Sequence, residues 1–398
     1  MASRPTRRDE FEIAVVCALP LEYDAAALAF DEFWDDDGDT YGRAEGDPNS
    51  YSTGRIGRYN VVLALLPNMG KVSAASAAAS LRSSFTGLRL ALVTGICGGV
   101  PSPGTDEEII LGDVIISRTV VQYDYGRQYP DRFIRKDTLD ANLGRPNRDI
   151  RSLLSTFDTD RGRDGLQRGA AQVMNQIREK AAKRRRRGRY IRPSASEDRL
   201  FKPDYQHEHR DQSDCGCFEQ VCEAARAASC DELGCDTAEL VLRDRLQEAP
   251  GEDPDGDHGS NEFEIYVGCV GSGDTVMKSG EDRDRIAREN GLIAFEMEGA
   301  GVWDEVPCIV VKGVCDYADS HKNKKWQTYA AATAASVMKA LLARYTQTDK
   351  PLEGIRNGVA AEVGSRSWGP VFNGPITGRN VVAGQHTSGG TTNITFGS

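Results

Sequence analysis

Apolar residues along this chain fall into short unbroken runs separated by polar, glycine-containing stretches. Glu12–Ala18, Tyr59–Leu66, Leu88–Thr94 and Cys308–Val314 are each continuous enough to predict a strand buried on both faces. Val114–Asp124 and Glu264–Val270 read the same way. Between them the spacing predicts helices. Leu19–Phe30 opens near Pro20, a residue suited to a first helical turn. Gly70–Ser84 is small and Ala-rich, and Glu281–Asn290 and the amphipathic Gln327–Tyr345 follow later. Ala294–Glu298 leads into a further short helix. Asp31–Asn49 reads as an acidic loop, and Gly95-Ile96-Cys97-Gly98-Gly99 as a glycine-rich turn after the third strand. Strands alternating with helices predict an α/β domain on a largely parallel or mixed sheet.

The alternation stops between about 140 and 262, where the chain is highly charged and poor in β-branched runs. Arg178–Arg192 holds nine basic residues and one acid, and Asp244–Asp257 is acidic and rich in Pro and Gly. Between them lie Cys215, Cys217, Cys222, Cys230 and Cys235. One α/β domain split by a mostly helical insertion is a more economical reading than two independent domains. The expected division is an arm at 1–10, the domain's first part at 11–139, the insertion at 140–262, the second part at 263–350 and a tail at 351–398. That tail is rich in Gly, Thr, Asn and Val, without a helical pattern.

Composition narrows the class. The 398 residues are 39% apolar, and 41 glycines bring the total near the globular norm, which excludes a wholly disordered chain. A net charge of −11 disfavours nucleic acid or an anionic membrane as a general partner. No stretch reaches the length of a membrane-spanning helix, and the Arg-rich start lacks the apolar core of a signal peptide. The expectation is a cytoplasmic protein whose ten cysteines are thiols rather than disulfides. Lys183–Arg187 reads as a solvated face or, alternatively, a nuclear or nucleic-acid signal.

Candidate chemistry gathers where the strands end, the usual ligand edge of an open α/β sheet. Glu22 follows the first strand, Gly95–Gly99 the third, Glu296-Met297-Glu298 opens a helix, and Asp316 ends the last strand three residues before Asp319. Taken singly, an acid at a strand end is more often a helix cap and a glycine-rich turn just a turn; it is their common edge that points to a site. The stretches ALPLEYDA (18–25), TGICGGV (94–100), GSGDTVM (271–277), FEMEGAGVW (295–303) and VVKGVCDYAD (310–319) resemble the purine nucleoside/uridine phosphorylase superfamily, its nucleosidase branch above all. The resemblance covers about 12–135 and 263–346. The insertion, with GRQYPDRFIRKDT (126–138) and LFKPDY (200–205), is similar to phosphorylase-like domains of fungal immune-receptor-type proteins.

That resemblance implies a three-layer αβα sandwich around a mixed, partly barrel-like sheet, and cleavage of a base–ribose N-glycosidic bond without a cofactor. Breaking the bond builds positive charge on the sugar and negative charge on the purine, so an acid must protonate the base. Asp316 matches that acid, and burial should raise its pKa. Glu298 matches the carboxylate that grips the ribose hydroxyls, with Met297 on the sugar face and Glu296 beside it. Val276 and Met277 match the base-reading segment, supported by Asp274, while Gly95 and Gly98 lie in the turn. Glu22 matches the carboxylate that deprotonates water. Val93 and Ile96 stand where phosphorylases place Arg and Ser for phosphate, which favours hydrolysis.

The resemblance to immune proteins suggests a purine nucleotide, ATP or dATP, as substrate, with Arg127, Arg135 and Lys136, and Arg132, Lys71 and Lys202 behind them, as cations for the phosphates. A plain nucleoside is the alternative, a phosphorylase a second, and a non-catalytic nucleotide sensor a third. The cysteines with His207 and His209 offer zinc as the lesser reading: Cys215-x-Cys217 and Cys222 lie close, but no pair of C-x-x-C knuckles exists, and Cys230 and Cys235 suit a packed helix. The site is therefore expected to be metal-free. GPVFNGPITGRNVVAG and TSGGTTNITF resemble fungal sigma-type amyloid signalling motifs, which implies a receptor partner carrying a like motif; a flexible tail is the alternative. The family resemblance also implies a homo-oligomer.

Overall fold

A computed structural model describes residues 4–36, 38, 40–104, 107–184, 188–210, 215, 217, 221–247 and 262–346. The tail at 351–398, most of the acidic stretch before 262 and residues 185–187 of the basic run lie outside the described residues. In chain order the elements are β1 (Ile13–Cys17), α1 (Pro20–Ala29), β2 (Glu32–Phe33), β3 (Tyr51–Ile56), β4 (Tyr59–Leu65), α2 (Lys71–Ser84), β5 (Leu90–Gly99), β6 (Val114–Gln122), β7 (Gly126–Gln128) and β8 (Phe133–Arg135). Then follow α3 (Arg148–Thr156), α4 (Asp160–Lys183), α5 (Glu223–Ala227), α6 (Cys230–Leu233) and α7 (Asp244–Gln247). The chain closes with β9 (Ile265–Ser272), α8 (Gly280–Asn290), β10 (Leu292–Glu296), α9 (Gly299–Trp303), β11 (Cys308–Asp316) and α10 (Gln327–Arg344).

Nine strands form one mixed sheet in the order β10-β9-β6-β11-β5-β1-β4-β3-β2. Strand β10 also pairs antiparallel with the end of β5, so half of the sheet curls into a partial barrel. Strand β1 is flanked in parallel by β4 and β5, and β5 in parallel by β11. Alternate side chains of the central strands serve opposite layers, as a period of two requires. Ile13, Val15, Leu92 and Val311 pack with α1, α4 and α10 on one face. Ala14, Val16, Val93 and Val310 pack with α2 and α9 on the other. This is the expected αβα sandwich.

Two local expectations change. Gly95–Gly99 is not a turn: β5 runs on through it and pairs with β11 as far as Gly98. Glycine suits this continuation because the side chains of Glu22, Ala318 and Val314 stand where a Cβ at Gly95, Gly98 or Gly99 would fall. The stretch Tyr51–Ile56, unassigned in the pattern because it mixes polar and apolar residues, is a strand that hairpins onto β4. From the 140–262 region, α4 lies along α10 and buries Leu166, Ala170, Val173, Met174 and Ile177 in the main core. Arg245 reaches back to the buried Asp113 at 2.6 Å.

Candidate active site

The C-terminal ends of β1, β5, β9, β10 and β11 converge on a cavity of about 250 Å³. Glu22, Gly98, Val276, Met277, Glu296, Met297, Glu298 and Asp316 all line it. Sheet register brings them together: Gly98 of β5 lies opposite both Phe295 of β10 and Asp316 of β11. A Cβ on Gly98 would stand 2.8 Å from the Ala318 Cβ and 3.0 Å from Asp316 Oδ1. Gly95 does not line the cavity, but it sits against the acid that does. A Cβ there would fall 2.0 Å from Glu22 Oε1.

Glu22 occupies the first turn of α1, 2% exposed, where backbone N–H groups lack helical partners. The N–H groups of Ala18 and Leu19 donate to Oε2 at 2.8 and 2.9 Å, and that of Ile96 donates to Oε1 at 2.7 Å. Burial raises its pKa; Lys312 lowers it and Glu298 raises it further. Glu296 caps α9, accepting from Glu298 N–H at 3.0 Å and from Gly299 N–H at 2.9 Å. Its pKa is raised as well, by burial first. Glu298 accepts from Gly70 N–H at 3.4 Å and from Lys312 Nζ at 2.9 Å.

Lys312 was not singled out from the sequence. It is a fully buried cation in the middle of β11, with its Nζ 2.9 Å from Glu298 and 4.0 Å from Glu22. Burial pulls the ammonium down, but Glu298, Glu22 and Glu296 outweigh this and hold its pKa above the ordinary value. A lysine inside an otherwise apolar strand run, IVVKGV, was the available signal: such a cation is almost never buried unless paired.

Asp316 accepts from Lys322 Nζ at 3.0 Å and from Ala318 N–H at 2.8 Å, both at Oδ1. The Cys315 thiol donates to Oδ2 at 3.4 Å. Burial first, then the charge of Asp316, push the Cys315 thiol well up, so it stays an S–H donor. Ala318 adopts φ of 52°, the one positive φ outside glycine among the described residues. Such strain gathers where surrounding structure fixes a reactive group. Lys322 also lines the cavity and was likewise not anticipated.

Asp274 stands outside the lining. It accepts from Lys71 N–H at 2.8 Å, while its own N–H donates to Asp124 at 2.8 Å, and Lys71 Nζ pairs with Asp124. This latch holds the loop that presents Thr275, Val276 and Met277. Arg127, Arg135 and Lys136 do not line the cavity either. They belong to the β7–β8 hairpin and its exit, where Arg135 pairs with Asp137 at 2.8 Å and Lys136 lies over the Tyr125 ring. Lys202 pairs with Glu239 at 2.9 Å. Among the described residues, the lining contains one cation, Lys322, and no arginine. It holds no Cys/His cluster with metal-ligand spacing; the two such groups lie elsewhere.

Over 340 residues, 84% of the chain, the sequence is 33% identical to a nucleotide-binding leucine-rich repeat (NLR)-like protein of Hyaloscypha variabilis, of which the match spans 29%. Over 76 residues, 19% of the chain and 27% of the relative, it is 37% identical to a 5'-methylthioadenosine/S-adenosylhomocysteine nucleosidase of Mycobacterium bovis. The chain thus spans under a third of the length of these curated relatives. A solved 5'-methylthioadenosine/S-adenosyl homocysteine nucleosidase of Helicobacter pylori is similar with a TM-score of 0.47 at 15% identity, covering 84% of this chain and 98% of that one. Strands β9 to β11, which supply Glu296 and Asp316, lie beyond the stretch that the family model covers. Within it, residues 12–187 match the phosphorylase superfamily, the family that the sequence motifs resemble.

Proposed function

We propose that this domain hydrolyses the base–ribose bond of a purine nucleotide, ATP or dATP giving adenine and (deoxy)ribose triphosphate. The observation that carries the hydrolysis is the convergence of Glu22, Glu298 and Asp316 on one cavity whose described lining has no arginine. Four carboxylates, Glu22, Glu296, Glu298 and Asp316, against two lysines, Lys312 and Lys322, leave an excess of negative charge. That excess favours the developing positive charge of the sugar and repels a phosphate nucleophile. Glu298 takes the ribose hydroxyls. Glu22, with its raised pKa, accepts a proton from water as the oxygen attacks the anomeric carbon. The bond electrons leave with the purine, which is protonated at N7 through Asp316. The Lys322 ammonium touches that carboxylate and can resupply the proton, while the Cys315 thiol keeps its own and only donates a hydrogen bond to it.

The nucleotide reading is supported by the likeness to the NLR-like protein of Hyaloscypha variabilis and belongs with an effector role in fungal immunity or regulated cell death. A plain purine nucleoside is the second reading. It is favoured by the cavity's volume and by the position of Arg127, Arg135 and Lys136 outside it. Incubation with adenosine, AMP, ATP and dATP in phosphate-free buffer, with products identified by mass spectrometry, separates these. Preferential release of adenine from ATP or dATP is expected; equal or better use of adenosine overturns the nucleotide reading. Release that depends on added phosphate overturns hydrolysis. The Asp316→Asn variant should lose turnover by about 10²–10⁴-fold while nucleotide binding, followed by calorimetry, is kept. Binding without turnover in the wild-type protein would instead identify a sensor.

A further inference from the structure

Eight Cys and His side chains outside the cavity form two groups of four. His207, Cys230, Cys235 and His321 make one; His209, Cys215, Cys217 and Cys222 make the other. Within each group the candidate ligand atoms all lie within 4.8 Å of one another. The structure contains no disulfide among the described residues. We propose that each group holds one zinc ion, and that the first ion fastens the insertion to the loop that follows Asp316.

The distances in the first group are those of a tetrahedron around zinc. Its Nδ1 atoms are 3.3 Å apart, and the four nitrogen–sulfur separations run from 3.5 to 3.8 Å. With bonds of about 2.0–2.1 Å to nitrogen and about 2.3 Å to sulfur, tetrahedral edges are about 3.3 Å between nitrogens and about 3.6 Å between nitrogen and sulfur. Tautomers point the same way. His207 Nε2 faces the Ala228 carbonyl at 2.9 Å, and His321 Nε2 faces the Tyr205 carbonyl at 3.0 Å. A carbonyl only accepts, so each Nε2 carries the proton. In neutral imidazoles both Nδ1 lone pairs then face each other, an arrangement that a central cation makes favourable. A carbonyl on the far nitrogen is also the usual orienting partner of a metal-bound histidine. Phe201, stacked on His321 at 4.1 Å, fixes that ring further.

In the second group, His209 Nδ1 lies 3.7 Å from the Cys217 sulfur and 3.5 Å from that of Cys222. The Ala225 N–H donates to the Cys222 sulfur at 3.4 Å, a contact that suits a metal-bound thiolate. The surroundings supply a reason for the ions. Between residues 221 and 247 only Ala225 and Leu233 are buried apolar side chains, and α5 and α6 have five and four residues. So small a core does not order a chain by itself, whereas metal binding can.

His321 is the one ligand from outside the insertion. Its N–H donates to Asp319 at 2.9 Å, and its neighbour Lys322 contacts Asp316. Metal loss should therefore loosen the Asp316 loop as well as the insertion. The test is metal content of the full chain purified without chelators, measured by plasma mass spectrometry, with cobalt(II) titration of stripped protein as a second reading. Two zinc ions per chain are expected, falling to one in Cys230→Ser/Cys235→Ser and to one in Cys217→Ser/Cys222→Ser. Cobalt should produce the visible ligand-field bands of tetrahedral thiolate sites, displaced by zinc. A wild-type content of one or less without cobalt bands overturns the assignment, as does a content that neither double variant lowers. The wild-type titration decides the matter even if a variant fails to fold.

Discussion

At the scale of residues, the site is a balance of buried charge. Lys312 touches Glu298 and faces Glu22, so its removal leaves buried carboxylates uncompensated. The Lys312→Met variant should be destabilised by about 3–5 kcal/mol, measured by urea unfolding, because breaking a buried pair costs more than the pair contributes. Destabilisation of a few tenths would show that water reaches the cluster. Glu22 makes a pH prediction. In the proposed role it must be ionised to take a proton from water, and burial raises its pKa. The acid limb of kcat/KM should therefore lie above the usual glutamate range, with the rate falling as pH drops through that raised value. In Glu22→Gln turnover should collapse and the limb disappear; an unchanged limb would assign it to another group.

At the scale of elements, register does what no single residue can. Strand β5 runs through its glycines, so that Glu22 can lie against Gly95 and Asp316 against Gly98. The Gly95→Ala variant places a methyl 2.0 Å from Glu22 Oε1. Either the carboxylate or the strand must shift, and a misplacement of this size in a positioned base costs about 10²-fold. Loss of activity with a lowered thermal midpoint is expected; wild-type turnover would show that Glu22 has no fixed role. The α1 start, with Pro20 in its first turn, likewise aims Glu22 by donating backbone N–H groups to it.

At the scale of the molecule, the described residues up to Tyr345 form one compact unit. The charged insertion contributes α4 to the core of that unit, and its cysteines and histidines gather around positions suited to metal. The tail falls outside the described residues, so its resemblance to an amyloid signalling motif is a matter for experiment. Deleting residues 365–398 should abolish activation by fibres of a motif-bearing partner and leave basal adenine release unchanged. Fibre-seeded activation that survives the deletion would remove the tail from the proposal.

The apolar runs determined the strands, and the α/β alternation followed from them, because a strand buried on both faces needs little beyond its own residues to declare itself. Glu22, Glu298 and Asp316 were legible as acids at strand ends and through family motifs. Tertiary structure alone decided the rest. Lys312 looks out of place in an apolar run until the sheet sets carboxylates around it. Likewise Gly95–Gly99 reads as a turn until Glu22, Ala318 and Val314 are seen to fill the space that side chains there would need. The second cysteine–histidine group is local, but the first shows no pairing in one dimension, since His321 joins it from far beyond the insertion. In each of these cases the deciding partner lies far away along the chain, and such contacts are set by packing, which local pattern does not encode.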